Sequence, residues 1–255
     1  MAEGSEFAVS DGETEFILDP TMYGEGVRIK LVGSDSNVDN LTEDKKTVRV
    51  LATFAGNDFE SQEKIPMVIK VIGDINWQFE DEEDSKLSPA KKFHKIWKYL
   101  QEIGCNVPPN VVVLDENRAA MTDMTANGGE FFGKVKRNKI SVEAGMKKKR
   151  ELSKKEVSFL SLDIDDVKQR VLGLIESLSE KSIEIQSDDP YDLLIKDDGT
   201  YEIVLLDFQT ISKYMYWREG DKFLTQKEIG DKEILRGRVC DELDKFRSDL
   251  LKIKA

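Results

Sequence analysis

Between Ser187 and Gln209 the chain reads SDDPYDLLIKDDGTYEIVLLDFQ, and no other stretch narrows the possible folds as far. Two apolar runs, Leu193 to Ile195 and Tyr201 to Leu206, flank Asp198-Gly199, a strong hairpin turn signal. The second run is the most apolar strand in the chain and ends directly in Asp207. A buried strand that ends in Asp projects its carboxylate into a cleft. Asp192, just before the hairpin, returns to nearly the same place. Two such oxygen donors suit a magnesium ion and its polyphosphate. Asp197 and Asp198 read as ordinary turn carboxylates.

Upstream, alternating or apolar β-branched runs predict strands at 16–19, 27–32, 47–54 and 67–72, the last entered through Pro66. A helix is expected from Ser88 to Ile103. Ser88 can cap it, Pro89 suits its first position and Gly104 can end it. Phe93, Ile96, Trp97 and Leu100 give it one apolar face. Residues 111–114 and 119–124 are strand-like, joined by a turn at 115–117. A second amphipathic helix is expected over 162–178, and a charged helical stretch over 226–253. The lobe boundary is set between Met121 and Gly129.

The remaining composition excludes much chemistry. His94 is the only histidine and sits in an amphipathic helix, so multi-histidine metal sites are ruled out and a serine-type triad is disfavoured. Cys105 and Cys240 fit free thiols in a reducing compartment. Residues 1–7 read as a polar leader with no signal-peptide pattern. A cytoplasmic protein is expected, or one delivered into a host cytosol if it is an effector. No apolar run reaches membrane-spanning length. The net charge of −12 makes nucleic acid an unsuitable partner. Residues 134–155 run against that charge, with ten Lys or Arg and only Glu143 and Glu151 as acids. They read as an exposed insertion, with docking to an acidic or phosphate-rich partner as the functional alternative.

The order of these features resembles the protein kinase and aminoglycoside/choline kinase superfamily, including the minimal kinases of bacterial effectors. Asp207-Phe208-Gln209 is similar to that family's Asp-Phe-Gly. Pro190 and Leu193-Leu194-Ile195 resemble the end of its catalytic loop, with Asp192 where the family has a metal-binding Asn. Val68-Ile69-Lys70 looks like the strand whose lysine holds phosphates. Met121, Asp123 and Met124 fall where the hinge receives adenine, and Tyr23-Gly24-Glu25-Gly26-Val27 is a faint glycine-rich loop.

The resemblance implies an α+β bilobal fold. A five-stranded antiparallel N-lobe with one helix would take residues 8–124, and a trimmed, mostly helical C-lobe 125–255. It implies ATP and Mg2+ as ligands, with Lys70, Gly24 and Gly26 on the phosphates and Asp192 and Asp207 on the metal. Asp188 or Asp189 would serve as base or orienter toward a protein or small-molecule hydroxyl. The chain departs from the family at Ser187, where a catalytic Asp is usual, and at Ile185, where His is usual. Phe93 falls near the place of the glutamate that pairs with the lysine. Those losses leave a nucleotide-binding or protein-interaction pseudokinase as the alternative. An unrelated acidic α+β interaction protein is the reading outside this class.

Overall fold

The computed structural model describes residues 13–33, 47–73, 75, 82–132, 150–181, 183–185, 191–206, 211–213, 240–241 and 243–253. The chain divides into two compact units. One holds the described parts of 1–75, 86–99 and 108–126, and the other those of 76–85, 100–107 and 127–255. The main changeover, Ala126 to Asn127, lies inside the interval set from sequence. Residues 82–85 and 100–107, expected in the first lobe, group instead with the second unit. Hydrogen bonds explain the second of these assignments. The Leu205 N–H donates to the Asn106 carbonyl at 2.9 Å, and Asn106 Nδ2 to the Ile203 carbonyl at 3.0 Å.

The first unit is built on β1 (Glu13–Ile17), β2 (Arg28–Gly33), β3 (Thr47–Ala55), β4 (Ile65–Val71), β5 (Val111–Val113) and β6 (Arg118–Thr122). They form one antiparallel sheet in the order β1-β2-β3-β4-β6-β5. The resemblance implies five strands, whereas the six strand-like runs of the sequence all form strands of this sheet, the first of them starting at Glu13 and pairing fully with β2. Alternation supplies the core. Phe16, Ile29, Leu31, Val50, Ala52, Met67, Ile69, Val112 and Ala120 point to one side and are buried together.

A one-turn helix, α1 (Pro20–Tyr23), links β1 to β2, and α2 (Glu82–Ser85) is equally short. Asp19 caps α1 and also accepts from Lys91 at 2.5 Å. Those bonds, the one from Lys91 foremost, hold its carboxyl down to about 2. Helix α3 (Pro89–Glu102) has the expected bounds: the Gly104 N–H donates to the Gln101 carbonyl and that of Cys105 to Leu100, with Gly104 at φ +84°.

The second unit holds β7 (Glu130–Phe131), α4 (Lys154–Ser161), α5 (Ile164–Glu180), β8 (Ile183–Ile185), β9 (Tyr191–Ile195), β10 (Tyr201–Leu205) and β11 (Ile211–Lys213). A last helix, α6, takes in the described residues of 240–253. β10, β9 and β7 form one small sheet, and β11 and β8 another. The mostly helical C-lobe expected from sequence thus carries five strands as well.

Helix α4 begins inside the expected basic insertion. Ser153 and Glu156 form a reciprocal capping box, so Lys154 and Lys155 are helical. Residues 134–149 of that insertion lie outside the described residues. Helix α5 starts at Ile164 because Asp163 Oδ1 accepts the N–H groups of Asp165 and Asp166 at 3.1 and 3.3 Å. No helix among the described residues is long and apolar enough to cross a membrane.

Candidate functional site

The strand β4 alternates. Met67 and Ile69 face the core, so Val68 and Lys70 face the opposite side. Register then fixes their neighbours. Lys70 pairs with Thr47 and Ala119, and Val68 with Arg49 and Met121. Lys70 and Met121 are thus diagonal neighbours on one sheet face, a spacing of about 7–8 Å. Lys70 and Arg49 stand in the same diagonal relation across β3 and β4. Helix α3 brings Phe93 to this face. Lys70 Nζ lies 5.7 Å from the centre of the Phe93 ring, within cation–π range. The structure therefore gathers Lys70, Val68, Met121 and Arg49, with an aromatic ring beneath the ammonium group.

Gly24 and Gly26 lie away from Lys70, and Asp123 is engaged in its own turn. Arg28 pairs with Ala55 at one end of β3, and Thr47 pairs with Lys70 at the other. Gly24 and Gly26, just before β2, are therefore separated from Lys70 by the length of β3, about 26 Å at the usual strand rise. They form a turn, at φ +92° and +72°, and Gly26 packs against the Asn57 side chain. They make a tight turn at one end of β3, with Lys70 paired at the other. Replacing Gly26 with Ala should cost about 1–2 kcal/mol from its left-handed backbone and leave any nucleotide response unchanged, as chemical denaturation and nucleotide titration will show.

Asp123 is also engaged. Its N–H donates to the Pro66 carbonyl at 2.9 Å, and its Oδ1 accepts from the Thr125 N–H and hydroxyl at 2.9 and 2.6 Å. Its Oδ2 lies 3.1 Å from Arg49 Nε. The carboxylate expected near adenine is thus committed to its own turn and to Arg49. Met124 follows it, half-buried.

His94 packs among aromatic rings on α3. Its ring sits 5.1 Å from that of Trp97 and 6.2 Å, edge-on, from that of Tyr23. Burial, then Lys98, hold it below its ordinary pKa and neutral near pH 7. Trp97 donates to the Pro108 carbonyl at 2.7 Å, and the Tyr23 hydroxyl accepts the Val113 N–H at 2.9 Å.

In the second unit, Asp192 lies on β9 opposite Val204, with Oδ1 sealed from solvent. Asp188, Asp189 and Asp207 lie outside the described residues. The described strands on either side of them are paired. Ile185 faces Ile211 across β8 and β11, and Tyr191 faces Leu205 across β9 and β10. No cluster of three metal-binding side chains occurs among the described residues.

A separate cavity of about 280 Å³ lies in the second unit between the 103–106 turn, α5 and β10. It holds none of the expected site residues. At its wall the Tyr201 hydroxyl donates to Asp166 Oδ2 at 2.6 Å. Burial, with that bond, pushes the phenol up to about 12, so it remains a donor.

Arg49 was not among the residues singled out from sequence. A signal existed: Val48 and Val50 alternate around it, which turns Arg49 to the outer face of β3.

Neither a protein-family model nor a curated protein sequence matches this chain.

Proposed function

We propose that this protein binds a magnesium nucleotide through a kinase-like arrangement and transfers its terminal phosphoryl group to a hydroxyl of a protein or small molecule. The observation that carries the reading is the register of β4 with β6. It sets a cation suited to phosphate beside an apolar strip, Val68 and Met121, suited to a base. Lys70 would hold the α- and β-phosphates. Asp192 and Asp207 would bind magnesium, which neutralises charge on the polyphosphate. In sequence, Asp207 follows the apolar run that forms β10, and Asp192 lies on β9 paired with that strand. Asp188 or Asp189 would orient the accepting hydroxyl. The basic residues of 134–155 suit an acidic or phosphate-rich partner.

A second reading is a pseudokinase that binds nucleotide without transfer. It is favoured by Ser187, which stands in the sequence where the resembled family has its catalytic Asp.

Calorimetry with magnesium ATP tests the common part. Lys70→Met and Asp207→Asn should each weaken binding about tenfold or more, an order of magnitude being about 1.4 kcal/mol. Asp197→Asn, in the hairpin turn, should change nothing. Equal affinity in all four proteins would end the nucleotide reading. Phosphate release or phosphorylated product then separates transferase from pseudokinase.

A further inference from the structure

Arg49 crosses the surface on which the base would lie. Its pairing with Val68 puts its Cα on β3, whereas its partner Asp123 follows β6, and β4 runs between them. To place Nε 3.1 Å from Asp123 Oδ2, the side chain must pass over β4 between Pro66 and Val68. Two strand spacings, about 9–10 Å, separate its ends, within the combined reach of the two side chains. A second tie runs from its NH2 group to the Thr125 hydroxyl at 3.3 Å. The two ends differ in freedom. The Asp123 side chain is 9% exposed and fixed by Thr125, and the Arg49 side chain is 70% exposed. The fixed end is the carboxylate, and the movable end is the guanidinium.

We propose that Arg49 is a strap over the Val68–Met121 strip, anchored on Asp123, and that it sets the affinity of this face for a purine base because the base enters only when the strap is displaced. The inference rests on the proposed nucleotide site. The strap is exposed, so its strength is modest and falls with salt. The sign is distinctive: salt favours binding of an uncharged base.

The test uses adenosine, which carries neither phosphate nor metal. Its affinity is measured by calorimetry on the full chain, wild type and Arg49→Ala, at low and high ionic strength. Arg49→Ala should bind adenosine about three- to fivefold more tightly at low salt, the gain from losing one exposed ion pair. Raising salt should tighten wild-type binding toward the variant's value and leave the variant nearly unchanged. Asp123→Asn keeps an acceptor for Thr125 but removes the ion pair, and should give an intermediate gain. Equal or weaker adenosine binding by Arg49→Ala overturns the strap. If magnesium ATP still binds wild type and fails with Lys70→Met, the strap falls alone. If neither ligand binds any of these proteins, the nucleotide reading falls with it.

Discussion

Phe159→Ala is expected to lower the stability of the second unit by about 3–5 kcal/mol, the usual range for emptying a buried aromatic site. Phe159 on α4 is 1% exposed and stacks on Phe132, which follows β7, at 4.5 Å and 13°. Both rings meet Phe246 of α6 at steeper angles, with centroids 5.3 Å from Phe132 and 5.2 Å from Phe159. Three segments far apart in sequence thus converge on one side chain. Deleting it removes the packing of all three and leaves a cavity that rigid neighbours cannot fill. Phe132 is further fixed by its N–H bond to the Leu193 carbonyl at 2.8 Å, so collapse into the void is limited. Val157, exposed on the same helix, is the control, and its replacement by Ala should cost no more than about 0.5 kcal/mol. Urea denaturation of both variants checks this. A loss below about 1 kcal/mol for Phe159→Ala would mean that the three rings do not share one packed core.

The second large effect is expected at Glu156. Its carboxylate is buried and receives both guanidinium NH2 groups of Arg150 and the Ser153 N–H at 2.8 Å, while the Ser153 hydroxyl accepts the Glu156 N–H at 3.3 Å. Glu156→Gln keeps the shape but leaves the guanidinium of Arg150 without its counter-charge, a cost of about 2–3 kcal/mol. The hydrogen bonds from Arg150, ahead of those from Ser153, hold the carboxyl below its ordinary value of 4.5. The folded pKa is thus lower than the unfolded one. The stabilisation is fully present above about pH 4.5 and is lost as pH falls through the folded value. Melting temperatures of wild type and variant should therefore lie furthest apart near neutrality and converge in acid. A constant gap from neutral to acidic pH would show that the charge of Glu156 contributes nothing.

What could be read along the chain was what local chemistry controls. Alternation in Thr47–Ala55 and Ile65–Val71 marks strands and assigns their inner faces, because successive side chains point to opposite sides. Ser88, Pro89 and Gly104 bound α3, and Asp198-Gly199 closes the β9–β10 hairpin, with Gly199 at φ +83°. Helix α4 was missed because its first residues, Lys154 and Lys155, continue a basic run whose charge masks a short apolar stripe. The capping box that starts it spans only Ser153 to Glu156. The glycine pair at Gly24 and Gly26 was ambiguous for a related reason. A Gly-x-Gly pattern reports backbone freedom, which a tight turn needs as much as a phosphate does.

Local sequence was enough to tell which residues face inward, where α3 begins and ends, and where the β9–β10 hairpin turns. These follow from propensity, capping and periodicity over a few residues. Tertiary pairing was needed to show that β6 rather than β5 pairs with β4, and that Arg49 reaches Asp123 while Gly24 and Gly26 lie at the other end of β3. Those outcomes depend on register between strands dozens of residues apart. A shift of one residue would reverse every face, and burial of the Phe16–Ile29–Leu31–Val50–Met67 face is what selects one register.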